Sequence, residues 1–532
     1  MEKILFNTNT VFKSDTYYVF DKSKCDICLS DTKNETNPKY TTVTMDCDRP
    51  SSLDTAFVLK GLKNVTLDFE GAVITFHGNI QPFILDECEN VTIKNAVIGY
   101  KRPHFTEFDV ISNDENELCL RVKDGFPYRI ENGNFIPYCD DWEICDINNG
   151  AHFLQAFDTE TKKGKSFKLI YLGEDIIPWE NAPVKNIAHI RLEECDDKII
   201  FKGTFPAHWD KGTSLALCHT KRDLTSISMF HSKDIVIENF RILNGSGMGY
   251  FAIYTENITL DNVKFVCDEI SSGLVTNAAD GVHFVSCKGE IKVYNSIFNG
   301  MIDDCLNVHG NFHQVSKVSG DVLSVFRTQH YNNLGAEAKV YGIGDTIAVY
   351  NKSSMEEKGR FIIKDVSYTD DKWTTVIKTD KSLDGIEVDD VVENISVNPS
   401  LHFKNNQFTN VNTHVRIQTR GKSLIEDCVF DIPLWLTGDM TYWFESSPVN
   451  DLTVRNCRFL GDKGNIALLP EFTVTEKAPY YHTGVTIENN IFDSETALIA
   501  KYSDNIKFIG NKSSKGQKLI IEATGCGNII EE

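Results

Sequence analysis

The stretch DGVHFVSCKGEIKVYNSIFNGMIDDCLNVHG, from Asp280 to Gly310, decides the fold. It holds three carboxylates, Asp280, Asp303 and Asp304, and between them apolar and polar residues alternate. Because a strand rises about 3.3 Å per residue, a straight chain would hold Asp280 far from Asp303. If the interval is one turn of a coiled sheet, these two carboxylates stack about 4.7–4.9 Å apart. That prediction requires rungs of about 23 residues elsewhere in the chain.

One sequence phrase does recur: a polar turn, an alternating strand, a corner with Asn or Asp, and a second apolar pair. Its copies are LKNVTLDFEGAVITF from Leu62, CENVTIKNAVIGY from Cys88, SKDIVIENFRILNG from Ser232, TENITLDNVKFVC from Thr255, KGEIKVYNSIFNG from Lys288, NPSLHFKNNQFTN from Asn398, GKSLIEDCVFD from Gly421, VNDLTVRNCRFLG from Val449, HTGVTIENNIFDS from His482 and SDNIKFIGNKSS from Ser503. Corresponding corners are Asn64 and Asn90, Asp234 and Asn257, and Asp451 and Gly484. No helical periodicity competes with this pattern.

Short strands separated by sharp corners predict an all-β chain, a right-handed parallel β-helix in which each rung buries its inner face by stacking on its neighbours. Asn and Asp suit the corners because they tolerate left-handed backbone. A set of cysteines falls near comparable places in the rungs and is interpreted as small apolar filler stacked inside the helix. These residues are Cys88, Cys267, Cys287, Cys305, Cys428 and Cys457.

Two stretches break the repeat and resemble antiparallel strands with Gly and Asp turns, so each is predicted to be an inserted β-barrel-like domain. The predicted organisation is residues 1–100 as first rungs, 101–225 as one insertion, 226–311 as central rungs with the carboxylates, 312–397 as the second insertion and 398–532 as the last rungs. Insertions in repeat proteins tend to emerge on the binding face. Both insertions flank the central rungs and are expected to wall a cleft there.

Composition restricts the function. The net charge of −22 and a pI near 5.1 argue against binding to nucleic acid or to anionic membranes. No apolar run approaches the length of a membrane span, and MEKILFNTNT does not resemble a signal peptide. The 15 cysteines form no regular framework, which favours free thiols. A cytoplasmic location is therefore expected, the alternative being a secreted or periplasmic protein whose signal peptide has been removed.

The three carboxylates suit glycoside hydrolysis. Like charges on adjacent rungs raise the pKa of at least one acid, which provides a protonated acid beside an ionised base. One carboxylic acid then protonates the leaving oxygen while another carboxylate activates water or attacks carbon. The alternative for a lone Asp-Asp pair is a solvated turn. His283, Asn307 and His309 lie close in sequence and favour a site.

AADGVHFVSCKGEI, from Ala278, and IDDCLNVHGNF, from Ile302, resemble two signature stretches of glycoside hydrolase family 110, the α-1,3-galactosidases. NGSGMGYFAIYTENITL, FRTQHYNNLGAEAKVYGIGDTIAVY, VRIQTRGKSLIEDCVF and WFESSPVNDLTVRNCRF are also similar to that family, so the resemblance runs from about Pro206 to the last residue. It implies a parallel β-helix with inserted barrels, no metal and no cofactor. It also implies release of terminal α-1,3-linked galactose, including that of the blood-group B antigen, with inversion.

The resemblance further implies Asp303 as general acid and Asp280 with Asp304 as base for the attacking water. The remaining candidate substrate-binding residues follow from their side chains: imidazoles, amides, guanidinium groups and a carboxylate for sugar hydroxyls, and one indole to stack on galactose. They are His283, Asn307, His309, Arg416, Arg420, Trp443 and Glu445, with Gln329 and His330 reaching the cleft from the second insertion. The expected partner is a carbohydrate with terminal α-galactose, and a homodimer would cover an exposed solenoid end.

Two other interpretations stay open. Polysaccharide lyases and pectin-type hydrolases share the predicted fold, and the lyases use Ca²⁺ with a carboxylate cluster and a Lys or Arg base. An Asp-rich cleft repels acidic uronates unless Ca²⁺ neutralises it. The other is a non-catalytic carbohydrate-binding β-helix, because fold alone does not imply function.

Overall fold

The computed structural model describes residues 3–36, 52–114, 116–131, 134–139, 142–143, 151–172, 187–195, 197–218, 224–267, 273–326, 338–369, 373–409, 413–440, 443–472 and 480–532. Nearly all regular structure in these ranges is β, with single 3₁₀ turns at Lys22–Lys24 and Leu29–Asp31. Within the same ranges, no helix has the length and hydropathy that a membrane span requires.

A parallel β-helix forms the body, as predicted. Its longest sheet, here the long sheet, contains Lys3–Phe6, Thr16–Phe20, Asp26–Cys28, Lys63–His77, Glu89–Tyr100, Lys233–Ile242, Glu256–Asp261, Lys264–Phe265, Lys288–Tyr294, Ile297–Asn299, Ser400–Lys404, Gln407–Thr409, Ser423–Glu426, Val429–Phe430, Leu452–Arg455, Arg458–Phe459, His482–Glu488, Ile491–Phe492, Ser503–Ile509, Lys512–Ser513 and Ile529–Glu531. Neighbouring strands pair in parallel, so each rung continues the hydrogen-bond ladder of the one before.

A second parallel sheet closes the rungs on another face. Its strands are Ser52–Lys60, Ile80–Asp86, Ile227–Phe230, Tyr250–Ile253, Val282–Val285, the first residues of Leu306–Ser319, Val415–Ile417, Leu434–Leu436, Ile466–Leu468, Thr496–Lys501 and Ile520–Thr524, and Lys33–Thr36 adds an antiparallel edge strand. This second sheet carries the strands that flank the three aspartates.

The corners confirm the role expected of Asn and Asp. Asn64, Asn90, Asp234 and Asn257 all have left-handed backbone, with φ between 54° and 57°. Their side chains also bond from rung to rung: Asn90 Nδ2 donates to Asn64 Oδ1 over 2.8 Å, and Asn257 Nδ2 donates to Asp234 Oδ1 over 2.8 Å. The corner amides therefore add a polar ladder alongside the backbone ladder.

Replacing Asn257 tests this ladder. Its Oδ1 also accepts from Glu290 N over 3.0 Å, so the side chain joins three rungs. Asn257→Gly keeps the left-handed backbone but removes two hydrogen bonds, and we expect a loss of about 1–2 kcal/mol in the free energy of unfolding. Asn257→Ala adds the left-handed penalty of about 1–2 kcal/mol. Urea unfolding should rank wild type above Gly above Ala; an Ala variant more stable than the Gly variant would contradict this account.

The core runs the length of the helix. Phe298, Phe408, Phe430, Phe459 and Phe492 form one stack whose successive ring centroids lie 4.7–5.0 Å apart, close to the strand spacing. The cysteine filler is buried in the same core at Cys88, Cys287, Cys305, Cys428 and Cys457. The prediction is wrong for Cys267, which lies outside this core, where its carbonyl accepts from Arg241. The twelve cysteines whose side chains the structure describes are free thiols.

The first insertion is a closed barrel of seven strands, Phe105–Asp114, Glu117–Val122, Ala151–Asp158, Gly164–Leu172, Ile187–Cys195, Lys198–Lys202 and Thr213–Cys218. A small sheet of Tyr128–Glu131, Asn134–Cys139 and Trp142–Glu143 accompanies it. The pairing is antiparallel except between Gly164–Leu172 and Ile187–Cys195, which run parallel, so the expectation of a purely antiparallel barrel is wrong there. The barrel packs through Phe105 and Ala216 against Ala278 and Ile302, next to the aspartates.

The second insertion is a closed antiparallel barrel. It contains Leu306–Ser319, Val322–Phe326, Thr346–Tyr350, Glu357–Tyr368, Thr374–Thr379 and Val391–Asn394. Leu306–Ser319 belongs to both parts: Leu306 pairs within the second sheet, and Phe312 pairs with the barrel strand. The barrel core also contacts Val285 of the second sheet. Both insertions therefore pack beside the central rungs.

Candidate active site

The second sheet places the aspartates on neighbouring rungs. Val282 pairs with Leu306, and Gly281 N donates to Asp304 O over 2.9 Å. Asp304, not Asp303, is therefore the residue opposite Asp280. The predicted Asp280–Asp303 pairing is wrong because the rung is one residue longer than the interval between them. Asp280 is 4% and Asp304 5% exposed, whereas Asp303 is only partly buried.

Asp304 is held in its ionised form. His414 N donates to its Oδ1 over 3.2 Å, and Arg416 Nη1 lies 3.9 Å from its Oδ2. Burial raises the pKa of the carboxyl, but the His414 side chain, whose Nδ1 lies 3.7 Å from Oδ1, and the charge of Arg416 outweigh burial and lower it below its ordinary value. Asp304 is thus a carboxylate at neutral pH, able to accept a proton.

Asp280 begins a buried chain of hydrogen bonds. Its Oδ2 lies 2.5 Å from His283 Nδ1, and His283 Nε2 lies 2.8 Å from His309 Nε2. His309 Nδ1 ends the chain at the carbonyl oxygen of Gly310, 2.6 Å away. Burial lowers the pKa of both imidazoles, that of His309 to about 4. The structure therefore joins both predicted histidines to a predicted catalytic residue.

Glu445 lies beside this chain. Its Oε1 is 3.8 Å from His309 Nε2, and its Oε2 accepts from Gln418 Nε2 over 2.8 Å and lies 3.3 Å from Arg416 Nη2. Asn307 Nδ2 donates to Oε1 over 3.5 Å. Burial raises the pKa of Glu445, but the nearby Arg416 charge prevails and lowers it to about 2. Glu445 is ionised and holds Arg416, Gln418 and Asn307 together in the buried part of the site.

The nitrogens of His283 and His309 and the carboxylate of Glu445 are the one group in the described ranges close enough together to hold a metal ion, within 4.8 Å of one another. Two nitrogens bound to a tetrahedral zinc at about 2.05 Å lie roughly 3.3 Å apart. The 2.8 Å separation of the two Nε2 atoms is instead that of a hydrogen bond, and the Arg416 cation already neutralises Glu445. The group is therefore a hydrogen-bonded cluster.

Three further residues of the site were not predicted: Glu471, His414 and Trp435. Trp435 pairs with Arg416 in the next rung, and Arg416 pairs with Asn307. The register of the second sheet therefore places Trp435 in line with two predicted residues, which could have identified it. The Arg416 guanidinium lies 5.1 Å from the centroid of the Trp435 ring, and the His414 ring lies 4.2 Å from it. Arg416 also lies 3.6 Å from Glu471 Oε1.

Glu471 differs from the other carboxylates. Burial raises its pKa to about 7, and Asp439, Glu445 and Asp304 act in the same direction against Arg416. Because the folded protein keeps this proton above pH 4.5, the free energy of unfolding falls as the pH rises from about 4.5 to about 7.

Glu471→Gln should remove that dependence. We expect the variant to match wild type near pH 4.5 and to be more stable at pH 8, because Gln has no charge to bury. Urea unfolding at both pH values measures the difference, with Glu531→Gln, a change at an exposed carboxylate, as control. An equal difference between Glu471→Gln and wild type at both pH values would contradict the raised pKa.

Several polar atoms of the site are buried without a hydrogen bond to any described part of the chain. They are Asn307 Oδ1, Arg416 Nε and Nη2, Gln418 Oε1 and Trp435 Nε1. Buried polar atoms of this kind are costly unless a partner satisfies them. Donors and acceptors occur together here, which fits a ligand rich in hydroxyl groups.

The contacts described above do not include the remaining predicted residues. Arg420 Nη2 lies 2.6 Å from Glu393 Oε2, and its guanidinium also donates to Tyr350, so it joins a rung to the second barrel. Trp443 donates its backbone N–H to Asp439 and is partly exposed, and its predicted stacking on galactose stays a prediction. Gln329 and His330 lie outside the described residues.

No family model matches the chain. It is similar to α-1,3-galactosidase A of Shewanella woodyi, 29% identical over 86% of this chain and 75% of the relative. It is 29% identical to α-1,3-galactosidase A of Bacteroides thetaiotaomicron over 84% and 77%, and 28% identical to α-1,3-galactosidase B of Phocaeicola vulgatus over 88% and 79%. Among solved structures, a family 28 exopolygalacturonase of Yersinia enterocolitica covers 98% of this chain and 70% of its own, at 10% identity and a TM-score of 0.33. The predicted resemblance to the α-1,3-galactosidases is confirmed by relatives that match most of the chain.

Proposed function

We propose that the protein is an exo-acting glycoside hydrolase that releases terminal α-1,3-linked galactose with inversion at the anomeric carbon. Similarity to relatives named α-1,3-galactosidase over most of the chain supports the substrate class. One observation of the structure carries the proposal: three aspartates on neighbouring rungs share a site with buried polar atoms that have no hydrogen-bond partner among the described residues.

The proposed reaction uses two carboxyl groups on opposite sides of the glycosidic bond. The bond between C1 and the glycosidic oxygen breaks, and that oxygen takes a proton from Asp303. Water forms the new bond to C1 from the opposite face and gives its proton to Asp304. The products are β-galactose and the shortened glycan. Inversion requires about 6.5–9.5 Å between acid and base, which leaves room for the water.

The burial and charges of the site support this division of roles. Asp304 has a lowered pKa and is ionised, as a base must be before reaction. Asp303 is the more exposed of the two and is adjacent in sequence, which suits an acid that must reach a leaving group. Trp435, Arg416 and Asn307 line the rungs beside them and offer contacts to sugar hydroxyls.

Proton NMR of the wild-type enzyme on Galα1,3Gal, recorded from the first minutes, tests the proposal. β-Galactose should appear before α-galactose, and addition of a chelator should not change the rate. α-Galactose appearing first would show a retaining enzyme. An unsaturated product from a uronate polymer, lost on chelation, would favour a lyase. Binding without turnover would favour a non-catalytic carbohydrate-binding protein.

The same assay determines which glycans the enzyme accepts. Linear α-1,3-galactosyl chains and the fucosylated blood-group B trisaccharide share the terminal galactose and differ in the space needed beside the cleft. The proposal expects release from at least one of them, and the ratio of their kcat/KM values measures which shape the cleft accepts.

A further inference from the structure

The hydrogen-bonded chain of side chains from Asp280 through His283 and His309 to the carbonyl of Gly310 determines how many protons these groups carry. Its three contacts, of 2.5, 2.8 and 2.6 Å, all have hydrogen-bond length. The side chains of Asp280, His283 and His309 are 5%, 4% and 2% exposed, so bulk solvent does not compete for these contacts. Each contact must therefore hold its own proton.

Counting begins at the carbonyl end. A carbonyl oxygen only accepts, so His309 Nδ1 carries a proton. The two Nε2 atoms are 2.8 Å apart, and without a proton between them two lone pairs would face each other. The same holds for Asp280 Oδ2 and His283 Nδ1 at 2.5 Å. The three contacts together require three protons.

Two neutral imidazoles supply only two protons, one each. We infer that Asp280, His283 and His309 carry three protons in all, so that the chain has no net charge and the two histidines act as positioning residues for Asp280. The third proton sits either on the Asp280 carboxyl or on the imidazole pair, and both arrangements give the same total. The inference rests on the proposed function only for its effect on catalysis.

The surroundings explain why the third proton is retained. Asp304 lies opposite Asp280 in the next rung and is ionised, so a second net negative charge there would be repelled. Burial lowers the pKa of His283 against the negative charges of Glu445, Asp304 and Asp303, which favours the Asp280 carboxyl as the site of the third proton. A proton shared along the chain leaves the stacked pair with one negative charge instead of two.

The consequence for catalysis concerns the position of Asp280. Loss of the third proton would leave one of the three contacts with two lone pairs facing each other, and that contact would open, which loosens the chain that holds Asp280. Asp280 would then move relative to Asp304, and this movement disturbs the position of the base that activates the attacking water. The position of Asp280 beside Asp304 therefore depends on a proton that does not contact the sugar.

Neutron diffraction from a deuterium-exchanged crystal of the wild-type protein, without substrate, counts these protons directly. Deuterium in all three contacts supports the inference. An empty contact, either between the two Nε2 atoms or between Asp280 and His283, overturns it. Because no substrate is present, the result is independent of the proposed galactosidase activity, and the inference can stand if that activity fails.

A variant provides the functional readout. The amide of His309→Gln can donate to His283 Nε2, and His283 can then donate to an ionised Asp280, so the chain is complete without a third proton. With an aryl galactoside, which needs no acid, kcat of the wild type should fall at alkaline pH. The variant has no third proton to lose, so its kcat should not show this fall at alkaline pH. A variant that keeps the wild-type pH profile at a scaled-down kcat would show a merely structural role and overturn the positioning role.

Discussion

Asp303→Asn is expected to lower kcat on Galα1,3Gal by about 10³- to 10⁴-fold, since the sugar leaving group requires a proton that an amide does not give. The change is isosteric and Asp303 is partly exposed, so the free energy of unfolding should stay close to wild type. Initial rates of galactose release, with unfolding midpoints measured alongside, check both expectations.

The choice of leaving group separates the acid from the base. The nitrophenolate group of a nitrophenyl galactoside departs without protonation. The kcat of Asp303→Asn on that substrate should therefore fall by less than about tenfold. Asp304→Asn should lose comparable activity on both substrates, because each reaction needs an activated water. If Asp303→Asn were equally impaired on the disaccharide and the nitrophenyl galactoside, Asp303 would not be the acid, and the assignment would pass to another carboxyl of the site.

The sequence predicts the body of the fold well because the β-helix is built from local signals. An Asn such as Asn257 marks a corner through its own tolerance of left-handed backbone, and its neighbours alternate between core and solvent. Each rung repeats the same sequence pattern, so a wrong assignment in one rung is corrected by comparison with the other rungs. Cys267 shows the limit: its spacing fits the pattern, but its side chain is not part of the core.

The site is less predictable because its contacts join rungs distant in sequence. Asp304 meets His414 and Arg416 of the next rung, although the second barrel separates Asp304 from His414 by 110 residues in sequence. Glu471 has no motif to mark it, and its raised pKa depends on burial and on the charges of Asp439, Glu445 and Asp304, which lie elsewhere in the sequence. A one-residue difference in rung length also decided that Asp280 faces Asp304, which residue spacing alone could not resolve.

Arg416→Met is the second large effect we expect. Arg416 lies within 4.0 Å of three carboxylates, those of Asp304, Glu445 and Glu471, and its side chain is only 10% exposed. Removing its charge leaves buried Glu445 without the cation that lowers its pKa to about 2. Loss of one partner of a buried ion pair costs about 3–5 kcal/mol. We expect a fall of that size in the free energy of unfolding at pH 7.

The pH dependence of this loss follows from the sign of the shift. Arg416 lowers the pKa of Glu445 below 4.5, so its contribution to stability is complete above pH 4.5 and is lost as the pH falls toward 2. The gap between wild type and Arg416→Met should therefore be large at pH 7 and small near pH 3. Urea unfolding at the two pH values measures it, and an equal gap at both would contradict the role of Arg416 as counter-ion.

The same substitution at an exposed pair provides the control. Arg455 bonds Glu426 over 2.6 Å but is 41% exposed, so Arg455→Met should cost less than about 1 kcal/mol. Arg416→Lys, which keeps the charge without the planar fork, should recover part of the stability lost in Arg416→Met. Because Arg416 also holds Asp304 in place, both Arg416 variants should lose kcat, by about 10²-fold for Met. Arg455→Met should keep full activity, which separates the function of the buried cation from a general effect of removing an arginine.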